Sequence, residues 1–178
     1  MPELKVYIPA TLRYNGLFDF DGLYAGVVDW AKNYGYRWHE KTFKHKVPTP
    51  RGAEQELEWN LTKKVTDYFV HEITLTIHTW DQTEVEVEIN NRKKPLTNAR
   101  MYIILSGKMV YDWQNRFKGS KFLKKLGHWY YTVINKKELE SIYYDQFHYR
   151  QMDLHALLKK YFDMQTQKYS YQGYLGEN

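Results

Sequence analysis

The 178-residue chain contains no cysteine. That excludes disulfides, thiolate nucleophiles, Cys-ligated zinc and cysteine-held iron–sulfur clusters at once, and leaves packing as the source of stability. A cytosolic setting is the expectation that suits such a chain. No apolar run approaches the ~18 residues that span a bilayer, so no membrane span is expected. The opening Met-Pro-Glu-Leu-Lys-Val-Tyr lacks the basic-then-apolar order of an export signal. Gly-x-Gly-x-x-Gly, the phosphate-binding P-loop and Gly-x-Ser-x-Gly are all missing, so dinucleotide, nucleoside-triphosphate and serine-hydrolase chemistry lack their signatures and no cofactor is expected. Proline is absent beyond Pro95: all five (Pro2, Pro9, Pro48, Pro50, Pro95) punctuate the first half and leave the second half uninterrupted.

What the chain does have is aromatic mass: 17 Tyr, 8 Phe and 6 Trp in a composition that is 43% apolar, enough to bury a core in one domain. The expected organisation is a single α+β domain over residues 1–165 and a Tyr-rich tail over 166–178, which shows neither helical nor strand period. Leu4, Val6 and Ile8 alternate with Lys5 and Tyr7 as a short half-buried strand ended by Pro9, and a loop with Asn15 and Gly16 follows. Asp21 is placed as the N-cap of a helix whose Leu23, Val27, Trp30, Ala31 and Tyr34 share a face, with Gly35 past its end.

Strand patterns then dominate. Tyr36 to Lys46 alternates up to a Pro48/Pro50 break. Leu57, Trp59 and Leu61 share one parity, with Glu54, Glu56 and Glu58 on the other. Phe69, Ile73, Leu75 and Ile77 continue on the odd parity, and a turn near Lys63-Lys64 is required because an unbroken strand from 54 to 80 would reach about 90 Å. Asp81-Gln82-Thr83 and Asn90 to Pro95 read as two successive turns, and Ala99 to Trp113 as the last strand, with a bulge or turn at Gly107. From Ser120 to about Gln165 the apolar period is helical, and two helices or one bent helix are expected, with the break near Asn135-Lys136-Lys137. The fold expected is thus an antiparallel curved sheet of five to seven strands on a long C-terminal helical segment, with one N-terminal helix after the first strand. The sheet residues Phe69, Ile73, Leu75, Ile77, Ile103 and Leu105 should face Ile142, Leu154, Leu158 and Tyr161 of a helix from Lys136 to Met164.

This order of elements, over roughly residues 4–164, resembles the helix-grip arrangement of START-type and Bet v 1-like domains. The resemblance implies a sheet wrapped on a C-terminal helix and a cavity between them. In general texture the chain is also similar to small archaeal proteins, a likeness that assigns no residue a role.

For chemistry, His71 stands out because it shares the apolar parity of Phe69 and Ile73. Asp145, His148, Met152 and His155 share a helix face, but two turns, about 10.5 Å, separate the two imidazoles, too far for one ion, and no metal site is expected. No nucleophile is paired with a base, so a binding module is expected before an enzyme. Its ligand would be an apolar or aromatic small molecule held by residues among Trp59, His71, Tyr102, Tyr111, Trp129 and Tyr143. A second reading is nucleic-acid or other polyanion binding through Arg92, Lys93 and Lys94 with Lys121, Lys124 and Lys125, supported by the +5 formal charge. A third is metal-dependent phosphohydrolysis on the ladders Glu54/Glu56/Glu58 and Glu84/Glu86/Glu88, although the Glu-x-Glu-x-Lys strand of triphosphate tunnel enzymes is missing.

Overall fold

The protein is described by a computed structural model covering residues 4–89, 92–117, 119–129, 132–133 and 142–164. It is α+β. The elements run β1 (Leu4–Val6), β2 (Ala10–Phe18), α1 (Phe20–Asn33), β3 (Arg37–Thr49), β4 (Gly52–Lys64), β5 (Phe69–Ile89), β6 (Arg92–Tyr111), α2 (Lys121–Trp129) and α3 (Tyr144–Tyr161). All strand pairs are antiparallel, in the order β1-β6-β5-β4-β3, with β2 also on β6.

β1 and β2 act as one broken strand along β6, Val6 opposite Lys108 and Ala10 opposite Leu105. The expected loop at Asn15-Gly16 is therefore strand, with Asn15 opposite Arg100 and Gly16 opposite Ala99. The inward residue of the first segment is Tyr7, whose ring meets Phe147 at 4.7 Å, while Val6 and Ile8 are 69% and 90% exposed, the reverse of the expected parity. A strand alternates strictly, so one large ring fixed inward turns its neighbours out.

α1 begins two residues earlier than expected. Asp19 is its N-cap, accepting from the Gly22 amide at 2.9 Å, and Asp21 sits in the first turn, where a negative charge suits the helix dipole. Leu23, Val27, Trp30 and Ala31 are buried as their spacing predicts.

Pro48 falls within β3, the sheet's edge, where a missing amide costs no ladder bond. β4 reverses into β5 through Val65 to Tyr68, with Thr66 Oγ1 accepting from the Phe69 amide at 3.0 Å. The turn expected at Asp81 to Thr83 is instead a bulge inside the 21-residue β5. Asp81 takes a positive φ of 54°, which its short polar side chain tolerates, and Arg100 Nε donates to its carboxylate at 2.7 Å, so the strand bends without reversing. Gly52 closes on this bulge: a Cβ there would lie 2.6 Å from the Asp81 carbonyl carbon. The single reversal between β5 and β6 follows Ile89; Asn90 and Asn91 lie outside the described residues, and Arg92 to Pro95 belong to β6.

Odd positions of β4, β5 and β6 form the covered face, with Trp59, Leu61, Ile73, Leu75, Ile77, Ile103, Leu105 and Met109 sealed from solvent. α1 and α3 contact each other beside this face, α1 against β3 and α3 against β2 and β6. Gly107 keeps regular register opposite Ile73 and is no bulge. Its missing side chain admits α3, since a Cβ would lie 2.7 Å from Gln151 Oε1 and 2.9 Å from Phe147 Cε1. Phe147, Leu154 and Leu158 are buried in this contact; Ile142, expected among them, is 48% exposed. The expected helical break at Asn135 to Lys137 and the tail 166–178 lie outside the described residues.

Candidate functional site

β4 and β5 bring Lys63 directly opposite His71. Both occupy the parity of Leu61, Phe69 and Ile73, so the covered face ends in a polar pair where its pattern would place apolar residues. Tyr36 joins them from the end of α1, and α3 contributes Gln146, Tyr149 and Arg150. With Val65 they line a hollow of about 380 Å³ between sheet and helix.

Within this hollow His71 is 4% exposed, its ring stands 4.5 Å from that of Phe147, and its Nε2 has no hydrogen-bond partner among the described residues. Burial first, and the Lys63 charge second, push its pKa down to about 4, so the ring is neutral at physiological pH. The Tyr36 hydroxyl is also buried without a partner, and burial, partly offset by the Arg150 charge, raises its pKa. Lys63 Nζ donates to the Tyr34 carbonyl at 2.7 Å and stands 5.6 Å from the Tyr36 ring centre. Arg150 lies over the Tyr34 ring at 3.9 Å, and Asp153, 3.9 Å from it, already accepts from Trp30 Nε1 at 2.9 Å. Among the described residues, two cations, two phenols and a neutral imidazole thus meet in a lining that includes no carboxylate. Such a set can hold an acidic group at the cations and a ring beside the phenols.

Of the six expected ligand residues only His71 lines this hollow. Trp59 is fully buried, donating from Nε1 to Glu40 at 3.1 Å, and Tyr111 is sealed in the core, donating to the Tyr144 hydroxyl at 2.8 Å. Tyr143 packs on Phe69 at 5.2 Å, and Trp129 is half exposed on α2. Tyr102, of even number, lies on the opposite face under Arg13, lining a depression of about 410 Å³ with Trp80 and Arg100. The residues that periodicity missed, Tyr36, Gln146, Tyr149 and Arg150, come from two helix ends far apart in sequence. Lys63 was recoverable, as a lysine on an apolar parity.

The two basic trios do not share one surface. Lys93 pairs with Glu86 at 3.4 Å and Lys94 with Asp19, whereas Lys121, Lys124 and Lys125 stand on α2 beyond the other end of β6. Lys94 and Tyr111 are separated by about 56 Å of strand. The side chain of Arg92 is not described. The first acidic ladder already carries its cations: Lys41, Lys44 and Lys46 bond Glu58, Glu56 and Glu54 at 2.7, 3.0 and 2.7 Å. Glu54, Glu56 and His78 come within 4.8 Å of one another, yet Lys46 touches both carboxylates and lies first among the causes that hold Glu54 below its usual pKa. Glu84, Glu86 and Glu88 are exposed on the outer part of β5, beyond its pairing with β4, which ends at Gln82. No helix of the described residues is long and apolar enough to cross a membrane.

No protein-family model matches the chain, and no curated protein sequence matches it. A functional reading therefore rests on geometry.

Proposed function

We propose that the protein is a binding module that holds a small aromatic acid in the hollow between the β4–β5 end of the sheet and α3. The observation that carries this reading is the pair of buried, unpartnered polar atoms, His71 Nε2 and Tyr36 OH, beside Lys63 and Arg150. A buried polar atom without a partner costs about 1–3 kcal/mol, and a ligand that bonds it recovers that cost. The volume, about 380 Å³, suits a ligand of one or two rings. The acid group is required by the cations, and it sharpens the expectation of a merely apolar or aromatic ligand.

Thermal unfolding with 2-naphthoate and with its neutral amide, 2-naphthamide, tests the reading. At a tenfold excess over Kd, binding adds about 1.4 kcal/mol and raises Tm by about 3–6 °C. The acid should raise Tm, the amide much less, and Arg150→Gln and Lys63→Gln should each remove most of the difference. Equal shifts by acid and amide would leave the cations without a role; no shift by either at millimolar ligand would end the proposal.

A further inference from the structure

α2 places its large apolar residues in solvent. Phe122, Leu126 and Trp129 are 73%, 38% and 51% exposed, and at 100° per residue they fall within about 60° of arc as one stripe; Val133, 63% exposed, lies beyond the last residue of the helix. The helix meets the body elsewhere: Gly127 is its one buried residue, so close to Phe117 that a Cβ would lie 2.8 Å from that side chain's Cβ. Lys125, Lys121 and His128 flank the stripe on one side and Lys124 stands on the face opposite it, all four exposed. From residue 113 to 137 the sequence holds seven Lys/Arg and no acid, so a chain of net +5 is −2 everywhere else. The net positive charge of the sequence is thus carried by the stretch that includes α2.

Charge and apolarity together select the occupant. A second copy of the helix would set lysines against lysines. Nucleic acid would satisfy the lysines but leave Leu126, which cannot stack on bases, in water. An anionic lipid surface satisfies both, because its headgroups meet the ammonium groups while its acyl boundary takes up Phe, Leu and Trp, with the Trp ring at the headgroup level. We propose that α2 is an interfacial anchor that seats the protein on an anionic membrane, with Phe122, Leu126 and Trp129 entering the headgroup boundary and Lys121 and Lys125 bonding the headgroups. This lies along the membrane plane and involves no span. It is independent of the small-molecule reading.

The test is flotation of the full chain with phosphatidylcholine vesicles, with and without about 30% phosphatidylglycerol. The protein should float with the anionic vesicles only, and less as salt rises. Phe122→Ser with Trp129→Ser should weaken partition tenfold or more, as should Phe122→Ser alone to a smaller extent. Lys121→Glu with Lys125→Glu should weaken it roughly 25-fold or more, at about fivefold per lysine. Arg37→Glu with Lys160→Glu makes the same change in net charge away from α2 and should leave flotation near wild type. Far-ultraviolet circular dichroism of each variant should match wild type, since every altered side chain is exposed. Wild type remaining unbound to anionic vesicles would overturn the proposal. So would equal losses from both charge-reversal pairs, a dimer abolished by Phe122→Ser, or an oligonucleotide shift abolished by Lys121→Glu/Lys125→Glu while lipid binding is absent.

Discussion

α2 and α3 come from the same proline-free half of the chain and carry the same kind of apolar period, yet they end in opposite environments. α3 buries Phe147, Leu154 and Leu158 against the sheet; α2 leaves Phe122 and Trp129 more than half exposed. The difference lies in the receiving surface. Under α3 the sheet offers Gly107, a gap among large side chains that the Phe147 ring and Gln151 amide occupy, and Gln151 Nε2 donates to the Leu105 carbonyl at 3.0 Å. Among the described residues, α2 buries only Gly127, against Phe117. Period says which side of a helix is apolar; a complementary hollow decides whether that side is covered.

The comparison can be broken at several points. Leu154→Ala should cost the most, about 2–5 kcal/mol by urea unfolding, because a fully buried side chain leaves a cavity under α3. A loss under ~0.5 kcal/mol would show that the helix is not held there. Acid should act next. His71, packed on Phe147, has its pKa lowered from 6.5 to about 4, so the folded state refuses a proton that the unfolded chain accepts. Stability is retained above pH 6.5, falls as pH descends toward about 4, and levels below that, a loss of about 3 kcal/mol. Subtracting the curve of His71→Gln from that of wild type should isolate this slope; parallel curves would mean that the ring is hydrated. Gly107→Ala should cost about 1–3 kcal/mol by overpacking. Part of that should return in Gly107→Ala/Gln151→Ala, and strict additivity would deny the contact. Smallest is Phe122→Ser, within about 0.5 kcal/mol of wild type, since its side chain gives up no burial.

Where one strict period governed a segment, the sequence was readable. The four buried residues of α1 and the odd-parity core of β4 and β5 could be named from spacing alone, because burial on one face leaves little freedom of register. Asn15-Gly16 and Asp81-Gln82-Thr83 misled because turn residues also serve bulges and ends of pairing, and local chemistry does not say whether a chain reverses. Pro95 misled similarly. β2 leaves β6 at Phe18 opposite Thr97, so β6 is an edge by Pro95 and tolerates it. The hollow was half legible: Lys63 and His71 break the apolar parity at matching register, but Tyr36, Tyr149 and Arg150 reach it through tertiary packing that no local period records.

The ion pairs along β3 also bear on how molecules meet in a concentrated solution. Among the described residues β3 pairs only with β4, so its other side offers amides and carbonyls to any extended chain that drifts past. A chain docking there as a further strand would have to settle beside Lys41, Lys44 and Lys46, whose ammonium groups are held in place by Glu58, Glu56 and Glu54, and would lose a hydrogen bond wherever it met Pro48. The ladder that neutralises the acidic face thereby also guards the open border of the sheet against fibril-like growth from one molecule to the next.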